Sequence, residues 1–269
     1  MPDTIAGLRS KIFGTIRYEC HGPAAWIILN RAETNNALNA EMAAEIVEAV
    51  FRAKGDPEVR VIVVTGQGRI FSKGGDLEAF AASPREAEYQ QRQTNGLIAM
   101  VRTLRSAGKP TVALVNGHAL AGGLLIVLAC DLALAVEDAV FGTPEIETGL
   151  FPALAAALLA KGVPSKRGLW MVLTGEPITS AEAERMGLVS RVVAREKFEA
   201  ASARLVADIA SRLPHVVSLG RDGFLAATEL VTDRALDYLG AILTKLSLSE
   251  EVRDAVRAFV QRRAGRGER

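Results

Sequence analysis

The sequence is poor in cysteine and histidine. Its 269 residues include two cysteines, Cys20 and Cys130, and three histidines, His21, His118 and His215. Two isolated cysteines offer neither a disulfide framework nor a CxxC knuckle, and no two histidines have the i, i+4 spacing of a zinc-binding helix. We therefore expect no metal site.

The sequence also lacks an excess of charge of either sign. Its 32 basic and 31 acidic side chains leave a formal charge of +1, which gives no reason to expect a nucleic-acid or anionic-membrane partner. The basic tail at 261–269 is the local exception. With 49% apolar and 23% charged residues, the composition is that of an ordinary globular protein.

Long hydrophobic runs are absent as well. The longest apolar-rich stretch, 119–136, contains Asp131 and two glycines, so it indicates a core element and not a membrane span. The first residues, Met1 to Thr4, do not begin a basic region followed by an apolar run, so no secretory signal is recognised. No membrane partner is expected, and the predicted location is cytoplasmic.

Strand and helix patterns alternate through most of the chain. Strands are predicted as a hairpin over 11–30 that turns at His21-Gly22-Pro23, and then over 61–65, 111–115, 131–136, 140–141 and 189–193. Helices are predicted from an N-cap at Asn39 to Gly55, from near Asp76, and over 94–105, 122–129, 195–212, 216–230, 232–246 and 249–263. This order predicts an α/β layered fold followed by a helical C-terminal region.

Two glycine-rich turns and one carboxylate are the most informative local features. The first glycine turn, 66–77, reads GQGRIFSKGGDL; the second, 116–123, reads NGHALAGG. Each lies between a predicted strand and a predicted helix, where N–H groups have no intrahelical partner and the helix dipole is positive. With Glu145 nearby, such donors suit the enolate oxygen of a thioester. The alternative is that the glycines only permit tight turns.

Five motifs occur in a characteristic order. They are LNR at 29–31 with NALN at 36–39, FSKGGDL at 71–77, NGHA at 116–119 with GG at 122–123 and ACD at 129–131, GTPE at 142–145, and SEE at 249–251 with VRAF at 256–259. In this order and at these separations they resemble the enoyl-CoA hydratase/isomerase (crotonase) family, and the resemblance runs over nearly the whole chain.

The resemblance implies an architecture and a ligand. The fold would be a crotonase-like spiral of repeated ββα units over 1–195, carrying an acyl-CoA site, with a C-terminal α-helical trimerisation region over 196–269. The ligand would be an acyl-CoA thioester, with coenzyme A as part of the substrate and no other cofactor. The assembly would be a homotrimer or a dimer of trimers.

The resemblance also implies the reacting groups. The backbone N–H groups of Gly75 and Gly122 would hold the thioester oxygen, and Glu145 would be the catalytic acid and base. Glu145 lies among apolar residues such as Phe141 and Leu150, which predicts a pKa raised towards neutrality. Without the resemblance, a glutamate in a surface turn would be the better interpretation.

Further contacts are predicted around these groups. Candidates for substrate binding are Lys73, Gly74, Asp76, Leu125, Phe80 and Phe151. Each has an alternative: Lys73 as a solvated turn lysine, Asp76 as a helix cap, and the apolar side chains as plain core. His118 is interpreted as a structural histidine, and Glu147 as solvent-facing or salt-bridged.

Departures from the family pattern bear on the reaction. Leu125 occupies the position where hydratases of the family carry a second glutamate, and leucine can neither bind nor activate water. Ala153 stands where dienoyl isomerases carry an additional acid. The pattern therefore favours Δ3,Δ2-enoyl-CoA isomerisation with one glutamate. The alternatives are hydration by Glu145 alone and a non-catalytic acyl-CoA-binding homologue.

Overall fold

The computed structural model describes residues 10–264, with side chains up to Arg263. The chain divides into two compact units, and the boundary between them lies at Ile209/Ala210. The predicted division of roles at 195/196 stays a prediction. Residues 1–4, used to assess a leader, and 265–269, which end the basic tail, lie outside the described residues.

A seven-stranded sheet forms the centre of the first unit. The strands are β1 Ser10–Ile12, β2 Ile16–His21, β3 Ala24–Leu29, β4 Val61–Gly66, β5 Thr111–Val115, β7 Leu132–Val136 and β10 Arg191–Val193. Their order along the sheet is β1-β2-β3-β4-β5-β7-β10. The pairs β1–β2 and β2–β3 are antiparallel, and the remaining pairs are parallel.

The sequence predicted most of these strands. His21 pairs with Ala24 across the turn at Gly22, which confirms the predicted hairpin. All of β5 is buried, as are all residues of β4 except Thr65. This is expected for parallel strands covered on both faces.

A second sheet of three short strands lies beside the glycine turns. It comprises β6 Ala119–Leu120, β8 Val140–Gly142 and β9 Ile178–Thr179, in the order β6-β8-β9. β6 and β8 are parallel, with Leu120 opposite Gly142. This pairing places the residues after β6 next to those after β8.

Eight helices of the described part complete the first unit. They are α1 Ala40–Gly55, α2 Leu77–Ala81, α3 Glu86–Arg105, α4 Gly122–Ala129, α5 Ala153–Gly162, α6 Ser165–Thr174, α7 Ser180–Arg185 and α8 Phe198–Ala210, which ends at the boundary. The Asn39 side chain accepts a hydrogen bond from Met42 N–H at 2.9 Å, which confirms the predicted N-cap of α1. Met42, Ile46 and Val50 on one face of α1 are buried.

The helices differ from the prediction at one boundary and in two additional helices. Helix α3 begins at Glu86 rather than at Thr94. The sequence did not predict its first two turns because they are mostly polar and carry no apolar stripe. Helices α5 and α6 were not predicted. In α5 the run 153–160 is entirely alanine and leucine, so it has no polar face from which a helical period could be recognised.

Helix α4 is the most buried helix of the first unit. Its residues are buried except Leu128, which is half-buried. A helix that is apolar all round belongs in the interior of a protein. The first turn of α4 therefore starts in the core, directly after the second glycine turn.

The second unit consists of helices within the described residues. They are α9 Pro214–Ala227, α10 Thr232–Ser247 and α11 Glu250–Ala264, in agreement with the predicted helices. A β-carbon on Gly223 would lie 2.6 Å from Ile242 Cδ1, so α9 and α10 approach closely at this glycine. Among residues 10–264, no helix is both long enough and apolar enough to cross a bilayer.

Candidate active site

A cavity of about 400 Å³ lies in the first unit, between the glycine turns, α3, α4 and the segment 144–155. It is lined by most of the residues that the sequence singled out. These are Lys73, Gly75, Asp76, Phe80, Gly122, Leu125, Glu145 and Phe151. Segments that lie far apart in the chain therefore meet at one site.

The first glycine turn places Gly75 in the wall of this cavity. Leu38 and Gly75 form a parallel bridge, in which Leu38 N–H donates to Gly74 O at 2.7 Å and Asp76 N–H donates to Leu38 O at 3.0 Å. Successive N–H groups of an extended chain point to opposite edges, so the Gly75 N–H points away from Leu38. It donates to no acceptor within the described residues.

The second glycine turn presents the N–H of Gly122. Gly122 is the first residue of α4, so its N–H has no intrahelical acceptor, and no other described residue accepts from it. Ala121 before it has φ +50° and ψ −119°, a backbone conformation that residues other than glycine rarely adopt. The turn therefore holds a strained residue beside a free amide.

The two glycine turns touch at Gly74. A β-carbon on Gly74 would lie 2.3 Å from Ala121 Cβ and 3.2 Å from the amide nitrogen of Gly122. Gly74 also has φ +101°. Gly74 was a predicted substrate contact, but it is not among the residues that line the cavity. Its position instead requires a residue without a side chain, because the two turns approach each other there. This close approach brings the Gly122 amide next to Gly74, the residue before Gly75.

Glu145 reaches the same cavity because its segment is joined to the second glycine turn. Ala121 N–H donates to Gly142 O at 2.9 Å, three residues before Glu145. The buried Thr143 donates from Oγ1 to Met171 O at 2.8 Å, which holds the segment from the other side. A single 3-10 turn, Pro144–Thr148, then carries Glu145.

The Glu145 carboxyl lies in an apolar environment. Its Oε2 is buried and accepts no hydrogen bond within the described residues. Burial raises the pKa of Glu145 above its ordinary value of 4.5, and a hydrogen bond from its own backbone N–H offsets this only in part. The direction agrees with the sequence-based expectation, and it suits a group that must both accept and return a proton near neutral pH.

Asp76 is held as a structural carboxylate at the cavity wall. It caps α2 by accepting from Ala79 N–H at 3.0 Å, and its Oδ2 lies 2.8 Å from an Arg31 guanidinium nitrogen. Burial by itself raises the pKa of Asp76, but these two hydrogen bonds bring it below the ordinary value. The predicted helix cap is confirmed, and the carboxylate stays ionised.

Lys73 lies at the rim of the cavity, with its side chain 36% exposed and its Nζ 3.8 Å from Glu78 Oε1. At this distance and exposure the ion pair leaves the ammonium available to a second anion. Glu147 also lies at the rim and is exposed, in agreement with the prediction that it faces solvent.

Apolar side chains form another part of the cavity wall. Leu125 lies one turn after Ala121, its N–H donating to Ala121 O at 3.1 Å, and its side chain is 2% exposed. The ring of Phe80 lies 6.0 Å from that of Tyr89, and Phe151 remains 54% exposed. The position three residues after Gly122 is therefore occupied by an apolar side chain and not by a second carboxylate besides Glu145.

Two asparagines that hold the first glycine turn were not assigned a role from the sequence. The buried Asn36, at φ +54°, donates from Nδ2 to the carbonyls of Gln67, Ile70 and Phe71. Asn116 donates from Nδ2 to Gly66 O at 2.9 Å. Asparagine beside glycine-rich turns is a recognisable signal, because its amide can satisfy several backbone groups that a turn leaves unpaired.

His118 has the structural role that the sequence suggested. Its Nδ1 accepts from Val140 N–H at 3.2 Å, which fixes the start of β8. Within residues 10–264, no group of three histidine, cysteine, aspartate or glutamate side chains is placed to hold a metal ion.

Comparison with known proteins gives consistent matches. The family model described as enoyl-CoA hydratase/isomerase matches residues 21–266. Enoyl-CoA hydratase domain-containing protein 3, mitochondrial, of Rattus norvegicus is 34% identical over 241 residues, which cover 88% of this chain and 79% of the relative.

Solved structures share the fold. The crystal structure of human enoyl Coenzyme A hydratase domain-containing protein 3 has a TM-score of 0.88 and 27% identity, covering 92% of this chain and 98% of that one. An enoyl-CoA hydratase structure from Mycobacterium smegmatis also has a TM-score of 0.88 and 27% identity, with 93% and 97% covered. These matches confirm the predicted crotonase-like α/β fold, and the chain belongs to the enoyl-CoA hydratase/isomerase (crotonase) family.

Proposed function

We propose that this protein binds an acyl-CoA thioester in the cavity and uses Glu145 to relocate a proton beside an enolate. The N–H groups of Gly75 and Gly122 hold the thioester oxygen. The favoured reaction is the isomerisation of a 3-enoyl-CoA to a 2-enoyl-CoA. The observation that supports this most directly is a carboxyl with one buried, unpaired oxygen in a cavity whose wall also includes two residues with unpartnered backbone N–H groups.

The proposed reaction moves one proton. The Glu145 carboxylate takes a proton from C2, and the electron pair of that bond delocalises onto the thioester oxygen and across C3 and C4. The two amide N–H groups stabilise the charge on that oxygen. Glu145 then returns its proton to C4, which leaves the double bond between C2 and C3.

Rough magnitudes show that these groups suffice. Each oxyanion donor contributes about 3 kcal/mol, and a positioned base adds a factor of roughly 10² to 10⁴. Together they supply about 9–11 kcal/mol, which lies within the range of about 8–23 kcal/mol typical of enzymes.

Leu125 supports isomerisation over hydration. Its buried, apolar side chain lies in the cavity beside Gly122, at the position where hydratases that the sequence resembles carry a glutamate. The second candidate function is hydration of a 2-enoyl-CoA, favoured by the names of several relatives, which are described as putative or probable enoyl-CoA hydratases or as enoyl-CoA hydratases.

A spectrophotometric comparison tests the choice. Rates are measured with a 3-enoyl-CoA, as formation of the conjugated thioester, and with the matching 2-enoyl-CoA, as loss of conjugation. Faster turnover of the 3-enoyl thioester supports isomerisation. The reverse ranking makes the protein a hydratase, and binding without turnover of either makes it a non-catalytic acyl-CoA-binding homologue.

The remaining contacts are proposed from their place in the cavity. Lys73 at the rim would meet a phosphate of coenzyme A, while Phe80, Leu125 and Phe151 would line the acyl chain. Asp76 would hold the first glycine turn in place. No cofactor beyond the coenzyme A of the substrate is proposed.

We also propose a homotrimer or a dimer of trimers, located in the cytoplasm. Large apolar side chains of the second unit are exposed in the chain alone, among them Leu236, Leu243 and Phe259, and contiguous exposed apolar surface commonly marks an interface. Light scattering would give a mass of three or six times 28.7 kDa. A mass of one or two chains would contradict the assembly, and recovery in a membrane or organelle fraction would contradict the location.

A further inference from the structure

A second cavity, of about 360 Å³, lies in the first unit between α6, α7 and β9. Its lining comes entirely from residues 164–186, and we call it the α6/α7 cavity. It shares no lining residue with the cavity that contains Glu145, and the proposed function gives it no role. Its volume lies within the range of about 300–1,000 Å³ that is usual for small-molecule sites.

Two arginines of the α6/α7 cavity have no anionic partner. Arg167 on α6 and Arg185 on α7 both line the cavity and are exposed. Neither guanidinium forms a hydrogen bond or an ion pair with another residue that the structure describes. A guanidinium presents its N–H donors in a fork that matches the oxygens of a carboxylate or a phosphate. The pair is therefore suited to an anionic ligand.

The acidic side chain of the lining is already engaged at the start of α7. Glu182 Oε2 accepts from the backbone N–H of Thr179 at 2.9 Å and from Thr179 Oγ1 at 2.8 Å, which forms a capping box. These hydrogen bonds, and then the charges of Arg185 and Arg167, lower the pKa of Glu182. Both arginines thus lie near one carboxylate without being bonded to it, and two positive charges against one negative charge leave the cavity with a positive excess.

An accessible aromatic ring lies beside the arginines. Trp170 follows Arg167 by three positions on α6, so the two side chains are neighbours on one face of the helix. The indole N–H donates to Glu176 Oε2 at 3.0 Å, which holds the ring in place, and the residue is nevertheless 57% exposed. The buried Met171 and the half-buried Met186 add apolar surface. Indole and thioether groups bind the faces and edges of planar rings.

We propose that the α6/α7 cavity is a binding site for a planar aromatic ring that carries an anionic group, either a carboxylate or a phosphate. The ring packs on the indole of Trp170, and the anion receives hydrogen bonds from Arg167 and Arg185. The lining contains no histidine, cysteine, serine or lysine, so the ligand is bound and not converted. The site is separate from the catalytic cavity and does not depend on the reaction proposed there.

Calorimetric titration of the full chain, in the assembly it forms in solution, tests this site with small probes. 2-Naphthoate and AMP each join a planar ring to an anion. 2-Naphthamide and adenosine keep the ring without the charge, and cyclohexanecarboxylate and ribose 5-phosphate keep the charge without the ring. The protein should bind 2-naphthoate or AMP at least about fivefold more tightly than either matched probe, because each lacks a charge-assisted hydrogen bond or a stacking contact. Tighter binding of 2-naphthoate identifies a carboxylate ligand, and tighter binding of AMP a phosphate.

Four variants assign the binding to the α6/α7 cavity. Arg167→Gln and Trp170→Ala should each weaken the preferred probe at least about fivefold. Lys166→Gln removes a positive charge, and Leu169→Ala truncates an apolar side chain, at exposed positions of α6 outside the cavity lining. Both of these controls should bind as the wild type does. Arg167→Gln changes an exposed side chain without bonding partners, so its result stands even where Trp170→Ala impairs folding.

The outcomes decide the proposal without reference to acyl-CoA turnover. Absence of binding by both 2-naphthoate and AMP overturns it, and so does equal affinity for the matched probes. Binding that is unchanged in Arg167→Gln, or weakened equally in Lys166→Gln, places the ligand elsewhere and also overturns the site. None of these results affects the assignment of Glu145, which is tested on thioesters.

Discussion

The amide of Ala121 donates a hydrogen bond to the carbonyl of Gly142 at 2.9 Å. This bond joins the turn that ends at Gly122 to the segment that carries Glu145. A proposed oxyanion donor and the proposed acid are thus held by one backbone contact between β6 and β8, which places them in the same cavity independently of any ligand.

Replacing Glu145 by glutamine should abolish turnover and leave binding intact. Glutamine keeps the shape of the side chain but cannot take a proton from C2, so we expect kcat to fall by a factor of roughly 10² to 10⁴. The dissociation constant for a saturated acyl-CoA should change little. Glu137→Gln makes the same change at an exposed position outside the cavity lining and should retain wild-type kcat; a similar fall in both variants would remove Glu145 from the mechanism.

The raised pKa of Glu145 should be visible in the pH dependence of the reaction. Burial raises this pKa above 4.5, and only the ionised carboxylate can accept the C2 proton. The acidic limb of the kcat/KM profile should therefore have its midpoint above pH 4.5, in a range where circular dichroism shows the protein folded. Full activity at and below pH 4.5 would contradict the buried position of the base.

The ionised Glu145 carboxylate, which the reaction requires, should lower the stability of the folded protein. Because the folded-state pKa is raised, the contribution of Glu145 to stability is full below the unfolded-state pKa and is lost as the pH rises through the folded-state value. Glu145→Gln does not titrate, so at pH 7 it should be more stable than the wild type. A gain of about 1 kcal/mol is typical when an unfavourable active-site group is removed.

Thermal unfolding at two pH values checks this expectation. At pH 7 the melting temperature of Glu145→Gln should exceed that of the wild type by roughly 2–4 °C. The difference should shrink at a pH below 4.5, where the wild-type carboxyl is protonated in both states. A variant that is less stable at pH 7 would show that the carboxylate is favourably held.

Ala121→Gly should stabilise the protein, although alanine-to-glycine changes normally destabilise. Ala121 has φ +50°, which glycine adopts without strain. Relief of that strain exceeds the added entropy of the unfolded chain, so we expect a gain of about 1 kcal/mol. Ala157→Gly, at an exposed position inside α5, should lose about 0.5–1 kcal/mol, and chemical denaturation measures both. A loss at both positions would show that Ala121 is not strained.

Leu125→Glu should shift the reaction towards hydration. The substitution places a second carboxyl in the cavity beside Gly122, where it can position water against a 2-enoyl-CoA. We expect the ratio of hydration to isomerisation rates to rise at least about tenfold, with a loss of about 1–3 kcal/mol of stability from burying a polar group at a site that is 2% exposed. Leu125→Gln controls for polarity without an ionisable group, and an equal shift in both variants would exclude a role for the new carboxyl.

Local features of the fold could be predicted from the sequence, because neighbouring residues determine them. Asn39 and Asp76 cap α1 and α2 because each side chain accepts a hydrogen bond from a backbone N–H in the first turn of the helix that follows it. The start of α3 at Glu86 and the whole of α5 could not be predicted, because a polar stretch and an all-apolar stretch both lack a helical period.

The site depends on contacts between residues that are far apart in the sequence, and local sequence patterns do not specify such contacts. The resemblance indicated Gly75, Gly122 and Glu145, but their meeting depends on the fit of Gly74 against Ala121 and on the bond to Gly142. The hydrogen bond from Gln93 Nε2 to Leu38 O was not foreseen, since it joins α3 to a residue far away in the chain.

Deuterium incorporation tests most directly the claim that the cavity forms and reprotonates a thioester enolate. A 3-enoyl-CoA is incubated with the protein in D₂O, and the thioester is analysed by mass spectrometry. The predicted result is formation of the 2-enoyl isomer, with deuterium at C4 or C2 to the extent that the proton on Glu145 exchanges with solvent before its return. Both the isomer and the label should be absent with Glu145→Gln. A thioester that binds but is recovered with unchanged mass and an unmoved double bond would contradict it.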